Sequence, residues 1–197
     1  MKKIPLTCPC KNKSPLIRLK KSFICNNKNC NHNLETNSFP IFNDIPVIIS
    51  EEKTDTICQI KFGKTYINRS SSNFTHLKKI IKGTNKTTKD NCEKFISKIL
   101  TCNENPKVLV IGGGQKGDGT KKIWTEKKIE VHSIDIYGSE NVDIICDAHY
   151  LPLEDGYYDG VWIQAVLEHV VEPHKVVNEI YRVLKKEGKV YAETPFM

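Results

Sequence analysis

Two patterns of apolar residues divide the chain. In its C-terminal half they come as short unbroken runs, as in Val108-Leu109-Val110-Ile111 and again at 129–134 and 158–163. Runs of this length, rich in β-branched residues, predict strands buried on both faces of a parallel sheet. Residues 142–146 and 189–192 read the same way, and 176–184 has helical spacing. Strand, helix, strand alternation predicts a doubly wound α/β sheet of about five strands, with ligands at the strands' C-terminal ends. In the N-terminal half the apolar residues are sparse. Residues 16–19 and 21–24 predict short strands, and 45–49 a closing strand behind the turn chemistry of Asn43-Asp44. Between the halves, 51–105 is rich in Lys, Ser, Thr and Asn. It carries helical spacing at 75–82 and at 90–100, the latter through Cys92, Phe95, Ile96, Ile99 and Leu100, with Asp90 placed as N-cap. The expected organisation is a small module at 1–50, a basic, partly helical linker at 51–105, and the sheet module at 106–197.

Charge supports that division. The net charge of +7 conceals 19 Lys and Arg against 8 Asp and Glu up to residue 105, and 11 against 15 beyond it. A basic front on an acidic back suggests different partners for the two, nucleic acid among them for the front, although no basic motif interleaved with aromatics is present. No apolar run approaches the roughly 20 residues that cross a bilayer. No apolar core follows Met1-Lys2-Lys3 as in a secretion signal, so a cytoplasmic location is expected. Eight cysteines in such a chain point to metal or buried thiols rather than disulfides.

Four of the eight fall within the first 30 residues, as Cys8-Pro9-Cys10 and the pair Cys25 and Cys30. Two cysteine knuckles on two turns supply the four soft ligands of a tetrahedral zinc, and binding energy then substitutes for a large core. The spacings, Cys-x-Cys and Cys-x4-Cys, differ from the usual Cys-x-x-Cys. His32 is an alternative to Cys30, and free thiols are an alternative to metal.

In the C-terminal module the first strand runs into Gly112-Gly113-Gly114-Gln115-Lys116-Gly117, which fits G-x-G-x-x-G. A helix beginning near Asp118 would point its amides at a ligand there. The second strand ends at Asp135, where a carboxylate can accept from a ribose diol. Dinucleotides and S-adenosylmethionine both fit such a site.

Two resemblances refine this. The N-terminal pattern, Leu6-x-Cys-Pro-Cys, Phe23-x-Cys and Phe39-Pro40-Ile41-Phe42-x-Asp44-Ile45-Pro46-Val47, resembles the zinc ribbon that activates certain methyltransferases. It implies one structural zinc on Cys8, Cys10, Cys25 and Cys30. Further on come Asp147-Ala148-x-x-Leu151-Pro152-Leu153, Tyr158-Asp159-Gly160-Val161-Trp162, Val166-Leu167-Glu168-His169-Val170 and Glu179-Ile180-Tyr181-Arg182-Val183-Leu184-Lys185. These resemble the class I S-adenosylmethionine-dependent methyltransferases, in their ubiquinone/menaquinone-biosynthesis-like branch. The resemblance implies a Rossmann-like sheet, truncated at its C-terminal end, behind a zinc-ribbon-like β domain. It places Gly112, Gly114 and Gly117 against the methionine part of the cofactor, Asp135 on the ribose and Ile136 against the adenine. Asp147 and Ala148 would contact the adenine edge, and Gln164 would line the methyl-donor pocket. His169 and Glu168 are the candidate catalytic pair, or equally a helix-start element. His149 and His174 are expected at the surface. The acceptor is open among small molecules, glycans, RNA and proteins. The rival readings are a cofactor-binding or truncated protein without turnover and, with less in its favour, a nicotinamide-dependent oxidoreductase.

Overall fold

A computed structural model describes residues 2–49 and 86–194. The N-terminal part contributes β1 (Leu16–Arg18), β2 (Ser22–Cys25), β3 (Phe39–Phe42) and β4 (Ile45–Ile48), each antiparallel to the next. Then come α1 (Lys86–Cys102), β5 (Lys107–Ile111), α2 (Lys121–Thr125), β6 (Glu130–Asp135), β7 (Ile144–Cys146), β8 (Tyr158–Gln164), α3 (Pro173–Val183) and β9 (Leu184–Glu193). The helix expected at 75–82 lies outside the described residues.

Strands β5 to β9 form the anticipated parallel sheet, in the order β7-β6-β5-β8-β9. The order reverses beside β5, which makes the crevice between β5 and β8 the place for a ligand. Side chains along β5 alternate between two faces. Val108 and Val110 pack with Trp162 under α1, through Cys92, Phe95, Ile96 and Ile99, and under Ile123 of α2. Leu109 and Ile111 pack with Val161 and Ile163 under Val176, Ile180 and Val183 of α3. The connector therefore supplies a structural layer of the sheet module through α1.

The ribbon joins the sheet. Strand β4 pairs parallel with β7, Val47 opposite Ile145 and Ile48 opposite Cys146, so nine strands form one continuous sheet. Leu6, Phe23, Phe39 and Ile48 are buried in the same apolar cluster as Leu151, Leu153 and Ile180. Polar ties reinforce this seam. The Thr7 amide donates to the Pro152 carbonyl at 2.9 Å, and the Lys2 ammonium meets Asp143 at 2.8 Å. Glu179 on α3 accepts from the Leu151 amide at 2.7 Å and from both Lys13 and Arg182. The Arg182 guanidinium also donates to the Leu151 and Leu153 carbonyls, which fixes the loop after β7 against α3.

Asp90 is not the N-cap expected of it, because α1 already runs from Lys86 and holds it within the helix. Two further element boundaries differ from expectation for local reasons. Helix α2 starts at Lys121 and not near Asp118, because Gly119 takes φ +83° and Thr120 Oγ1 closes a turn onto the Gly117 carbonyl at 2.7 Å. Five residues make a weak dipole, so the amides facing a ligand are those of the loop. Strand β9 begins at Leu184, immediately after α3. The charged stretch Lys185-Lys186-Glu187 hides its first half from an apolar-run criterion.

Candidate cofactor site and metal centre

The glycine turn is bound to the second strand by its own amides. The N–H groups of Gly112 and Gly113 both donate to the Ile134 carbonyl at 3.0 Å, and that of Gly114 donates to Asp135 Oδ2 at 2.8 Å. Asp135 Oδ1 accepts from the Tyr137 amide at 3.1 Å. A carboxylate offers about four acceptor positions, so these two bonds leave room for a diol. Gly112 needs its φ of +79° to leave β5 in this direction. Gly113 lies so close to Ser133 that a Cβ there would sit 1.9 Å from Ser133 Oγ. Ile136 follows Asp135, half-exposed at the mouth.

The loop also meets β8. A Cβ on Gly117 would lie 2.4 Å from Gln164 Oε1, and one on Gly112 would lie 2.3 Å from Val166 Cγ2. Gly112, Gly114, Gly117, Asp135 and Gln164 thus converge at the C-terminal ends of β5, β6 and β8. The missing side chains let the turn pack directly against Val166, Asp135 and Gln164 at these strand ends.

Asp147 and Ala148 follow β7. Asp147 is buried, and its Oδ1 accepts from the His149 amide at 2.9 Å and the His149 ring Nδ1 at 2.6 Å. The other ring nitrogen accepts from the Glu172 amide at 3.2 Å. His149 is therefore not at the surface, where it was expected. It is 4% exposed because a carboxylate and the first turn of α3 satisfy both ring nitrogens. That arrangement assigns the proton to Nδ1. His174 is at the surface as expected, with 70% of its side chain exposed.

Glu168 and His169 lie in a 3-10 turn, Leu167–His169, whose last amide donates to the Val166 carbonyl at 2.8 Å. His169 is exposed. Glu168 Oε2 is buried with no hydrogen-bond partner among the described residues, in the turn just beyond Val166. Residues 165–169 are reached through Ala165, whose φ of +52° turns the chain sharply at the end of β8.

Some contacts at this site had no signal in the sequence beyond position. Glu193, which ends β9, accepts from Thr88 of α1 at 2.9 and 3.0 Å and from Gln164 at 3.4 Å. A carboxylate just past the apolar run of the fifth strand was the available hint.

In the N-terminal module the sulfur atoms of Cys8, Cys10, Cys25 and Cys30 all lie within 4.8 Å of one another. Cys8 and Cys30 are 3.8 Å apart, Cys10 and Cys25 4.0 Å. Zinc–thiolate bonds of about 2.3 Å require tetrahedron edges of about 3.8 Å, so the set fits one zinc. His32 does not join it: its Nδ1 meets the Asn37 carbonyl at 2.9 Å and its ring packs on Phe39. Burial raises the Cys8 thiol well above its usual range. For Cys10 burial also pushes upward, but the Ser14 amide, the Cys8 thiol and the Asn12 amide outweigh it and bring the group down to about 7. A thiol that ionises this readily is a ready first ligand.

The chain is similar to known proteins over part of its length. Residues 111–192 match the family described as a methyltransferase domain. A stretch of 68 residues is 37% identical to a demethylmenaquinone methyltransferase of Clavibacter sepedonicus, covering 34% of this chain and 28% of that protein. Among solved structures, phosphoethanolamine N-methyltransferase 2 of Haemonchus contortus with S-adenosyl-L-methionine is 23% identical, with a TM-score of 0.42, over 52% of this chain and 27% of that one. A complex containing the Trm112 methyltransferase activator of Haloferax volcanii is 22% identical, with a TM-score of 0.38, over 54% of each chain. The chain spans little more than a quarter of the length of the curated relative it matches. Among the described residues no helix is long and apolar enough to cross a membrane. The match to a methyltransferase domain thus runs from the last residue of β5 into β9, across the crevice between β5 and β8.

Proposed function

We propose that the chain moves a methyl group from S-adenosylmethionine to an acceptor held at the mouth of the β5/β8 crevice, by in-line displacement. The observation that carries this reading is the convergence of the glycine turn, Asp135 and Gln164 beside the switch point. The cofactor supplies an electrophilic methyl on a sulfonium centre. The chain's part is to bind, align and dehydrate. In this reading the backbone of Gly112, Gly114 and Gly117 lies along the methionine part, and Asp135 takes the ribose hydroxyls. Ile136 packs on the adenine, and Asp147 with Ala148 meets its edge. Glu168 and His169 face the acceptor, and either serves as base where the nucleophile carries a proton. The ribbon at 1–50 holds one structural zinc, the linker at 51–105 adds a layer through α1, and 106–197 carries the chemistry. Reduced thiols suit a cytoplasmic setting.

The acceptor classes to screen follow from two observations. The relative's quinone substrate makes a small aromatic ring one class. The surplus of cations in the first 105 residues makes RNA another. Calorimetric titration of the chain with S-adenosylmethionine, S-adenosylhomocysteine and NAD tests the site. Heat with the two sulfur ligands and none with NAD is expected, and silence from both sulfur ligands refutes the reading. Radiolabel transfer to lysate RNA, protein and small-molecule fractions then identifies the acceptor. Binding without transfer to any fraction would make the chain a cofactor-binding protein instead.

A further inference from the structure

At the C-terminal end of β9 one carboxylate collects three side-chain donors. Thr88 Oγ1, buried at the start of α1, donates to Glu193 at 2.9 and 3.0 Å from its two oxygens. Tyr191 donates its hydroxyl to Oε2, and Gln164 donates Nε2 to Oε1 at 3.4 Å. Tyr191 in turn stacks on Trp162 with ring centres 3.9 Å apart and accepts from Asn91 at 3.4 Å, which anchors the group to the core and to α1.

An ionised carboxylate can only accept hydrogen bonds, whereas the Gln164 amide has one accepting end and one donating end. Glu193 therefore selects between the two rotations of that amide. Nitrogen must face β9, and oxygen must face away. The oxygen then faces the cofactor turn, since Gln164 Oε1 is the atom nearest to a Cβ built on Gly117. The donating end would face the same turn if the carboxylate were not there to hold it.

Resting on the S-adenosylmethionine reading of that turn, we propose that Glu193 is a positioning residue that presents the Gln164 carbonyl oxygen to the cofactor and so makes the site favour a cationic sulfonium over a neutral thioether. The negative end of an amide dipole stabilises a nearby cation, and its rotation by half a turn offers the positive end instead. S-adenosylmethionine and S-adenosylhomocysteine differ by that charge and one methyl, so their relative affinity reads the orientation directly.

The test is calorimetric titration of both ligands into the wild-type chain, Glu193→Gln, Gln164→Leu and the double variant, with the thermal midpoint of each recorded. Glu193→Gln keeps the shape but brings a donor of its own, which frees the Gln164 amide to turn. The ratio of the two dissociation constants is expected to move about tenfold toward S-adenosylhomocysteine, the loss of one charge-assisted contact. Gln164→Leu should move it in the same direction. The double variant should move it no further than Gln164→Leu alone, because Glu193 acts through Gln164. Equal weakening of both ligands by Glu193→Gln, or additive effects in the double variant, overturns the proposal and leaves the cofactor reading standing. An unchanged ratio in Gln164→Leu overturns it even if Glu193→Gln does not fold. A wild-type chain that binds neither ligand removes the cofactor reading and this proposal with it.

Discussion

Phe23→Ala is the substitution that asks whether ribbon and sheet module are one folding unit. The ring lies on β2, two residues before Cys25, and is 4% exposed. It belongs to the buried cluster that also holds Leu153, Ile180 and Val183 of the sheet module. Truncating a buried phenylalanine costs about 3–5 kcal/mol through lost transfer energy and the cavity left behind. With a urea slope of about 2 kcal/mol/M, a loss of 3 kcal/mol lowers the midpoint by about 1.5 M if the whole molecule unfolds together. Tryptophan fluorescence is the fitting probe, because the two tryptophans, Trp124 and Trp162, both lie in the C-terminal module and neither lies in the ribbon. The expected outcome is the full shift in the tryptophan transition, coincident with zinc release to a coloured chelator. A tryptophan midpoint within about 0.3 M of wild type, with zinc released early, would refute a shared core and show two separate units.

Three further expectations follow. Gly113→Ala forces a methyl into Ser133 Oγ and should cost about 1–3 kcal/mol as an overpacked site, while adding Ser133→Gly should recover most of it, read as thermal midpoints. His132 is wholly buried between the Tyr158 hydroxyl and Glu130, each at 3.0 Å, with Asp143 and Lys2 acting on it from further away. Burial dominates and lowers its pKa. The unfolded chain therefore binds the proton more readily, so the stability this group contributes is fully present above about 6.5 and is lost as pH falls through its depressed folded value. Urea midpoints measured from pH 7.5 down to 5 should fall, and His132→Gln should flatten the slope. Asp159 acts in the same sense at lower pH: burial opposes its ionisation, but Lys185, the Lys107 amide and Asn103 more than compensate. Finally, elemental analysis should find one zinc per chain, and Cys25→Ser or a strong chelator should abolish it and lower the thermal midpoint.

The sheet module was legible because its strands are continuous apolar runs, a local signal that survives without knowledge of partners. The cysteine set was legible for a similar reason, since four cysteines within 30 residues need little context to be brought together. What stayed hidden was pairing at a distance. Nothing in Ile45-Pro46-Val47-Ile48 says that its second edge belongs to Ile145 and Cys146, because strand partners are chosen by burial of the whole sheet. His149 was misjudged on the same ground: a histidine between Ala148 and Tyr150 reads as exposed until the Glu172 amide closes over it. The apolar spacing at 90–100 marked the middle of α1, but its role as a layer over Val108, Val110 and Trp162 emerges only once the sheet exists. Gln164 was readable as the end of a strand, while the partner that orients it lies 29 residues on.

The seam between ribbon and sheet has a consequence for synthesis. Lys13 and Glu179, which meet across it, are 166 residues apart in the chain. At about 5–20 residues per second, a ribosome completes the second cysteine knuckle about 8–30 s before the surface that will cover it exists. Through that interval Phe23 and Phe39 have no sheet to pack against, and a bound metal is what can keep the ribbon in shape. The thiol cluster would then be a timing device. It holds a docking edge ready, so that β7 emerges to find its neighbour already formed.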